Sequence, residues 1–222
     1  MLVKLMTERQ SKTPHSFPRR TLTFLACLLS ALAFHPAFGD LGGYTQKFGV
    51  ARADYFHGLE GDRSAELRAT DEFSALERER PQDPTVLAYN GSLELLEAAH
   101  TWAFWNKHKL ATEGLEKIDR SVQLAPDNLE VRFIRGATTW HLPFFYHRKT
   151  QSEGDFTYIA PHAESAARNG TFPRPLAASA MDYYGLILAD RNDTRGAHAA
   201  FQAAVRIDST SPGGRDALEH LQ

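Results

Sequence analysis

The stretch that most constrains how this chain can fold is residues 115–136, LEKIDRSVQLAPDNLEVRFIRG. Leu115, Ile118, Val122 and Ala125 follow at steps of three and four, which places all four on one face of an α-helix. Pro126 ends that helix, because proline removes an amide and biases the residue before it away from the α region. Asp127 or Asn128 can cap a second helix by accepting a bond from one of its free amides. Leu129, Val131, Phe133 and Ile134 carry the new apolar face. Helix, proline turn and helix form a hairpin joint, whose apolar faces only neighbouring helices can cover.

The joint recurs. Pro81, Val86, Tyr89 and Gly91 return as Pro126, Val131, Ile134 and Gly136, each 45 residues further on. A glycine inside a helix costs about 1 kcal/mol relative to alanine, so its return predicts close helix contact at that point. Upstream, residues 41–60 read as a helix, Gly61-Asp62 as a turn with Asp62 or Ser64 as cap, and SAELRATDEFSALERER as a second helix ended by Pro81-Gln82-Asp83-Pro84. From Thr85, VLAYNGSLELLEAAHTWAFWNKHK keeps a helical rhythm and reads as one helix of over twenty residues, with another from about Leu110 to Ala125. The helix from Leu129 ends at Trp140-His141-Leu142-Pro143, and an aromatic and basic turn follows at 144–149. Residues 150–168 form its partner, interrupted by Pro161, and 171–175 read as a linker. No segment alternates with the period of two that a sheet requires. The expected fold class is all-α.

In the last unit, Tyr184-Gly185, Leu188, Ala197, Phe201 and Ala204 are spaced as a large residue–glycine pair and a small–aromatic–small helix face. Pro212-Gly213-Gly214 ends that helix, and residues 215–222 form a short capping helix. With the 115–136 joint, and with Ala69, Phe73 and Pro81 earlier on, these positions resemble the tetratricopeptide (TPR) repeat of exported bacterial proteins. The likeness spans most of residues 62–212. It implies an α-solenoid of stacked antiparallel hairpins, about seven to nine helices over residues 40–222, acting as a scaffold or adaptor for a protein or peptide. Registering on Gly136 and Gly185 carries the concave TPR positions onto Glu130, Phe133, Ala137, Trp140 and His141, and onto Ser179, Asp182, Leu186, Ala189 and Asp190. Glu130, Phe133, Trp140, His141, Asp182 and Asp190 are thus the expected partner-binding residues. The lysine and asparagine clamp for a peptide carboxylate is absent there, and the three acids would repel such a ligand. All three tryptophans fall among Trp102, Phe104, Trp105, Trp140, Phe144, Phe145 and Tyr146. These rings either pack where two irregular repeats meet or line the groove as anchors.

Residues 21–34, TLTFLACLLSALAF, carry no charge and are too short to span a bilayer, which takes roughly 20 apolar residues. Arg19 and Arg20 precede the run, and Ala37 and Gly39 follow at signal-peptidase spacing. The segment 1–39 reads as a signal peptide cleaved after Gly39, and the protein as periplasmic or secreted. An uncleaved N-terminal anchor is the alternative. Removing 1–39 leaves 20 basic and 26 acidic residues, a net charge of −6. That balance weighs against nucleic acid or an anionic membrane as partner, and no membrane insertion is expected after cleavage.

Ten histidines raise the question of metal or catalytic chemistry. His141 and His147 are six apart across Pro143, and His100 and His108 are eight apart, close enough to two helical turns to share a face. No thiol follows the apolar run, and no HExxH, GxSxG or phosphate-cradling loop is present. The expectation is a non-enzyme without cofactor or metal. The competing readings are a histidine-using metal-binding protein or metal-dependent hydrolase, and a permanent structural subunit of an envelope complex.

Overall fold

The computed structural model describes residues 41–222, and the expected signal segment lies outside them. Among the described residues the chain forms nine α-helices and no strand. They are α1 (Leu41–Leu59), α2 (Arg63–Glu79), α3 (Pro84–His100), α4 (Phe104–Leu124), α5 (Leu129–Trp140), α6 (Lys149–Asn169), α7 (Arg174–Asp190), α8 (Thr194–Asp208) and α9 (Pro212–His220). A short 3-10 turn, Phe144–Tyr146, lies between α5 and α6. Helices pair as α1–α2, α3–α4, α5–α6 and α7–α8, successive hairpins stack, and α9 closes the end against α7 and α8. The expected all-α solenoid of stacked hairpins is what these residues build.

The two joints 45 residues apart share one geometry. Arg80 (φ −138°, ψ 80°) and Ala125 (φ −139°, ψ 70°) end α2 and α4. Each donates its amide to the carbonyl four residues back, of Leu76 and Ser121. Asp83 and Asn128 then accept from the amides of the second and third residues of the next helix, at 3.0–3.2 Å. Of the two candidate caps in the second joint, Asn128 is the one used. Losing such a cap typically costs about 1 kcal/mol.

In every hairpin a glycine on the first helix meets the second. A Cβ on Gly91 would stand 2.5 Å from the Gly114 carbonyl oxygen, and one on Gly136 3.0 Å from the Phe156 ring. On Gly58 it would meet the Glu66 backbone, and on Gly185 the Phe201 ring. The recurrent glycine is therefore a contact requirement. Between hairpins the ties are aromatic and polar. Tyr89 stacks on Phe73 at 4.7 Å and meets Phe48, Tyr55 and Phe56 edge-on, so α1 rings cover α3. The hydroxyls of Tyr55, Ser92 and Thr138 form a buried chain across α1, α3 and α5.

Three local expectations are corrected. The run after Thr85 is two helices, because residues 101–103 leave the helix and Thr101 turns extended (φ −76°, ψ 136°). The extra repeat length is thus shared between α3 and α4, and His100 and His108 lie on different helices. Pro161 sits inside an unbroken α6. The carbonyl its missing amide would have served is that of Thr157, an exposed residue, so water can take that bond. Pro212-Gly213-Gly214 begins α9 rather than ending α8. Proline suits the first turn of a helix, Ser211 accepts the Gly214 amide, and both glycines are buried, Gly213 tight against Ser179 and Gly214 against the Asp208 carbonyl.

Candidate functional site

Cavities of about 370, 700 and 770 Å³ among the described residues all have the size of ligand pockets, and the third is the one that gathers residues from several hairpins. It is lined by α1, α5, α7 with the residues leading into it, and α9, which are first helices of hairpins plus the closing helix. α3, the remaining first helix, is hidden beneath the α1 rings. The wall is mostly apolar, from Phe56, Leu59, Phe133, Leu176 and Leu186, with ionisable groups clustered at the α7–α9 end.

At that end stands Asp182. Small neighbours on α7, Ala177, Ala178 and Ala180, let adjacent helices close over it, and Gly213 brings α9 against Ser179 one turn before it. Asp182 is 6% exposed and its Oδ1 has no hydrogen-bond partner. His220 Nε2 stands 3.9 Å away, beyond hydrogen-bond reach. Burial, and secondarily the Asp216 charge, push the Asp182 carboxyl up to about 7. Burial pushes the Tyr183 hydroxyl up to about 12, with Asp182 and Asp216 adding to it. His141 is shifted down by burial and favours the neutral form. The cavity end thus holds a carboxyl that burial raises to about 7, one oxygen of which, Oδ1, is shut off from solvent and accepts no hydrogen bond. It suits a group that donates a hydrogen bond or carries positive charge on an apolar stem.

Of the residues the sequence marks for partner contact, Phe133, His141 and Asp182 line this cavity, as do Ala137, Ser179 and Leu186. Glu130 accepts from the Tyr89 hydroxyl at 2.7 Å and from Arg52 at 3.3 Å, so it fastens the first three hairpins together. Trp140 is half-buried beside the lining, edge-on to Phe156 and Tyr183, with the Lys149 ammonium 5.8 Å from its ring. Asp190 lies exposed at the end of α7, paired with Lys149 at 3.3 Å. Arg52, Tyr55, Asp216, Glu219 and His220 also line the cavity without having been marked. Asp216, Glu219 and His220 are three and four residues apart, the spacing of one helix face, and that was the available signal for them.

Trp102, Trp105, Phe144 and Phe145 belong neither to a core nor to this cavity, since all four are exposed. Among the described residues, no group of three histidine, cysteine, aspartate or glutamate side chains is placed to hold a metal ion. No helix among them is long and apolar enough to cross a membrane. No family model, curated protein or solved structure matches the chain.

Proposed function

We propose that this chain is an exported TPR-like scaffold that takes a segment of a protein partner into the cavity between α1, α5, α7 and α9. The partner presents an apolar side chain together with a donor or cation, such as lysine or arginine, to Asp182. The observation that carries this reading is the unpartnered Oδ1 of a buried aspartate at the end of a ligand-sized apolar cavity. A buried acceptor without a donor is costly, and a ligand that supplies one recovers that cost on binding. Asp216 and Glu219 add negative charge beside it, so an anionic ligand is disfavoured. The stacked-hairpin architecture supports a scaffold role.

A displayed library of short peptides tests this. Wild-type protein should enrich sequences with a basic residue next to an apolar one, and Asp182→Asn should bind them at least about tenfold more weakly. A library that enriches nothing, or sequences that bind Asp182→Asn equally well, sinks the proposal. Stability gives an independent check on the site. The folded state holds the Asp182 proton more tightly than the unfolded chain, so its stabilising effect is full at low pH and is lost as pH rises from about 4 to about 7. Asp182→Asn escapes that loss. Because the Asp182 side chain is not wholly enclosed, the variant should be about 2 kcal/mol more stable above pH 8, and nearly equal to wild type near pH 4.

Export rests on the uncharged run at 21–34, the arginines before it and the small residues after it. Protein recovered from its native cells should begin near Asp40 on N-terminal sequencing. A start at Met1 in a cytoplasmic fraction would remove the localisation.

A further inference from the structure

The edge of the stack formed by the α3–α4 and α5–α6 turns differs from the rest of the surface. Trp102 is 89% exposed and Phe144 88%, with Trp105 at 71% and Phe145 at 60%. Single exposed apolar side chains are ordinary, but four large rings on two neighbouring turns are not. The two turns carry one pattern 40 residues apart: Phe104-Trp105-Asn106-Lys107-His108-Lys109 and Phe144-Phe145-Tyr146-His147-Arg148-Lys149. Each is a pair of aromatic residues, one spacer and three basic positions. No aspartate or glutamate occurs within residues 98–112 or 131–152, in a chain with 27 of them. The fold brings the two turns together, because Leu142 and Tyr146 pack on the cluster of Leu95, Ala98, Ala111, Leu115 and Ile118 beneath the start of α4.

The bases are available. Lys107, His108 and His147 are exposed and have no ion-pair partner among the described residues. Lys109 faces Glu113 at 3.8 Å and Lys149 faces Asp190 at 3.3 Å, both exposed pairs of the kind that exchange partners readily. Arg148, by contrast, is held by Asp119 at 2.7 Å.

We propose that this edge docks the protein peripherally on an anionic membrane surface. The rings enter the headgroup layer, and Lys107, Lys109 and the flanking histidines meet lipid phosphates. Indole and phenyl rings beside cations are the chemistry of the bilayer interface, where the ring needs an apolar boundary and the cation a phosphate. A second copy of the chain is a poorer occupant, since it would set this basic rim against itself. The proposal departs from the expectation drawn from net charge. A net charge, −2 for the full chain and −6 without residues 1–39, averages over the whole surface, and acidic charge elsewhere on the molecule turns this edge toward the lipid by repulsion on the other sides. It is independent of the cavity.

The test uses the full chain. Residues 21–34 could attach it to vesicles by themselves, so the readout is quenching of Trp102 and Trp105 fluorescence by headgroup-depth spin-labelled lipid, not attachment. With phosphatidylcholine–phosphatidylglycerol vesicles, emission should shift to the blue and be quenched, and pure phosphatidylcholine should do little. Trp102→Phe with Trp105→Phe assigns the signal against half-buried Trp140. Lys107→Glu with Lys109→Glu, both exposed and checked for retained helicity, should raise the lipid needed for half-maximal quenching by about thirtyfold or more. The proposal is overturned by indoles that stay unquenched, by equal quenching on both vesicles, or by quenching indifferent to the lysine reversal. It is equally overturned if the edge is instead shielded by self-association or by an acidic protein.

Discussion

Replacing Asp155 with alanine should destabilise the protein by about 3–5 kcal/mol, the usual cost of breaking a buried ion pair from one side. Asp155 on α6 is 0% exposed and accepts from Arg132 Nη1 at 2.9 Å and from Arg135 Nε and Nη2 at 2.7 Å each. Both arginines lie on α5, so one carboxylate holds the α5–α6 hairpin shut just where Gly136 lets the helices approach. Arg132 also stacks on Tyr158, its guanidinium carbon 4.0 Å from the ring centre, which orients it. Removing the acid leaves two guanidinium groups that are largely out of water with only the Pro126 carbonyl for Arg132 and Asp119, 3.8 Å away, for Arg135. Urea unfolding of Asp155→Ala should show the loss with an unchanged m-value. Exposed Asp190, paired with Lys149 at 3.3 Å, is the comparison, and Asp190→Ala should cost no more than about 1 kcal/mol. Equal losses at the two sites would mean that burial is not what gives the Asp155 pair its weight.

None of that network could be read from the sequence, and the reason is physical. Helical rhythm and proline joints are encoded in residues a few positions apart, so the hairpins and the repeated joint were legible. A contact between Asp155 and two arginines 20 and 23 residues earlier depends on how helices turn about their own axes. Phe133, His141 and Asp182, which the residue-by-residue TPR register marks, line one cavity. The register could not say that Glu130, at an equivalent position, is taken up by Tyr89 and Arg52, because that depends on α1 lying over α3. Nor could it foresee that Asp182 would lack a donor, since the helix covering it, α9, begins at a Pro-Gly-Gly that reads as a stop. Prolines and glycines carry two meanings in sequence. Pro126 ends a helix, Pro212 starts one, and Pro161 passes through one at a turn whose affected carbonyl belongs to an exposed residue. Which meaning holds is settled by the neighbours of the backbone, not by the residue.

Glycine offers the sharpest separation of local from tertiary preference. Gly91→Val should cost about 3 kcal/mol or more, and Gly91→Ala about 1–2 kcal/mol. A Cβ at Gly91 would stand 2.5 Å from the Gly114 carbonyl oxygen and 2.7 Å from Ile118 Cγ1. One at Gly114 would stand 2.6 Å from the Gly91 carbonyl oxygen, so the two glycines face each other backbone to backbone across α3 and α4. A carbonyl in a helix cannot move aside as a flexible side chain can. The helices must separate, loosening the Leu95, Ala98, Ala111, Leu115 and Ile118 cluster that packs beside the contact. Helix propensity pulls the other way, favouring alanine over glycine by about 1 kcal/mol, so the sign depends on which effect is larger. Gly154, exposed in α6 with nothing within 4 Å of its Cβ position, isolates the propensity alone. Gly154→Ala should therefore stabilise by up to about 1 kcal/mol while the same change at Gly91 destabilises. Thermal melts of the two alanine variants and of Gly91→Val decide it. Stabilisation at both sites would mean that α3 and α4 are not in backbone contact at the glycine the 45-residue repeat preserves.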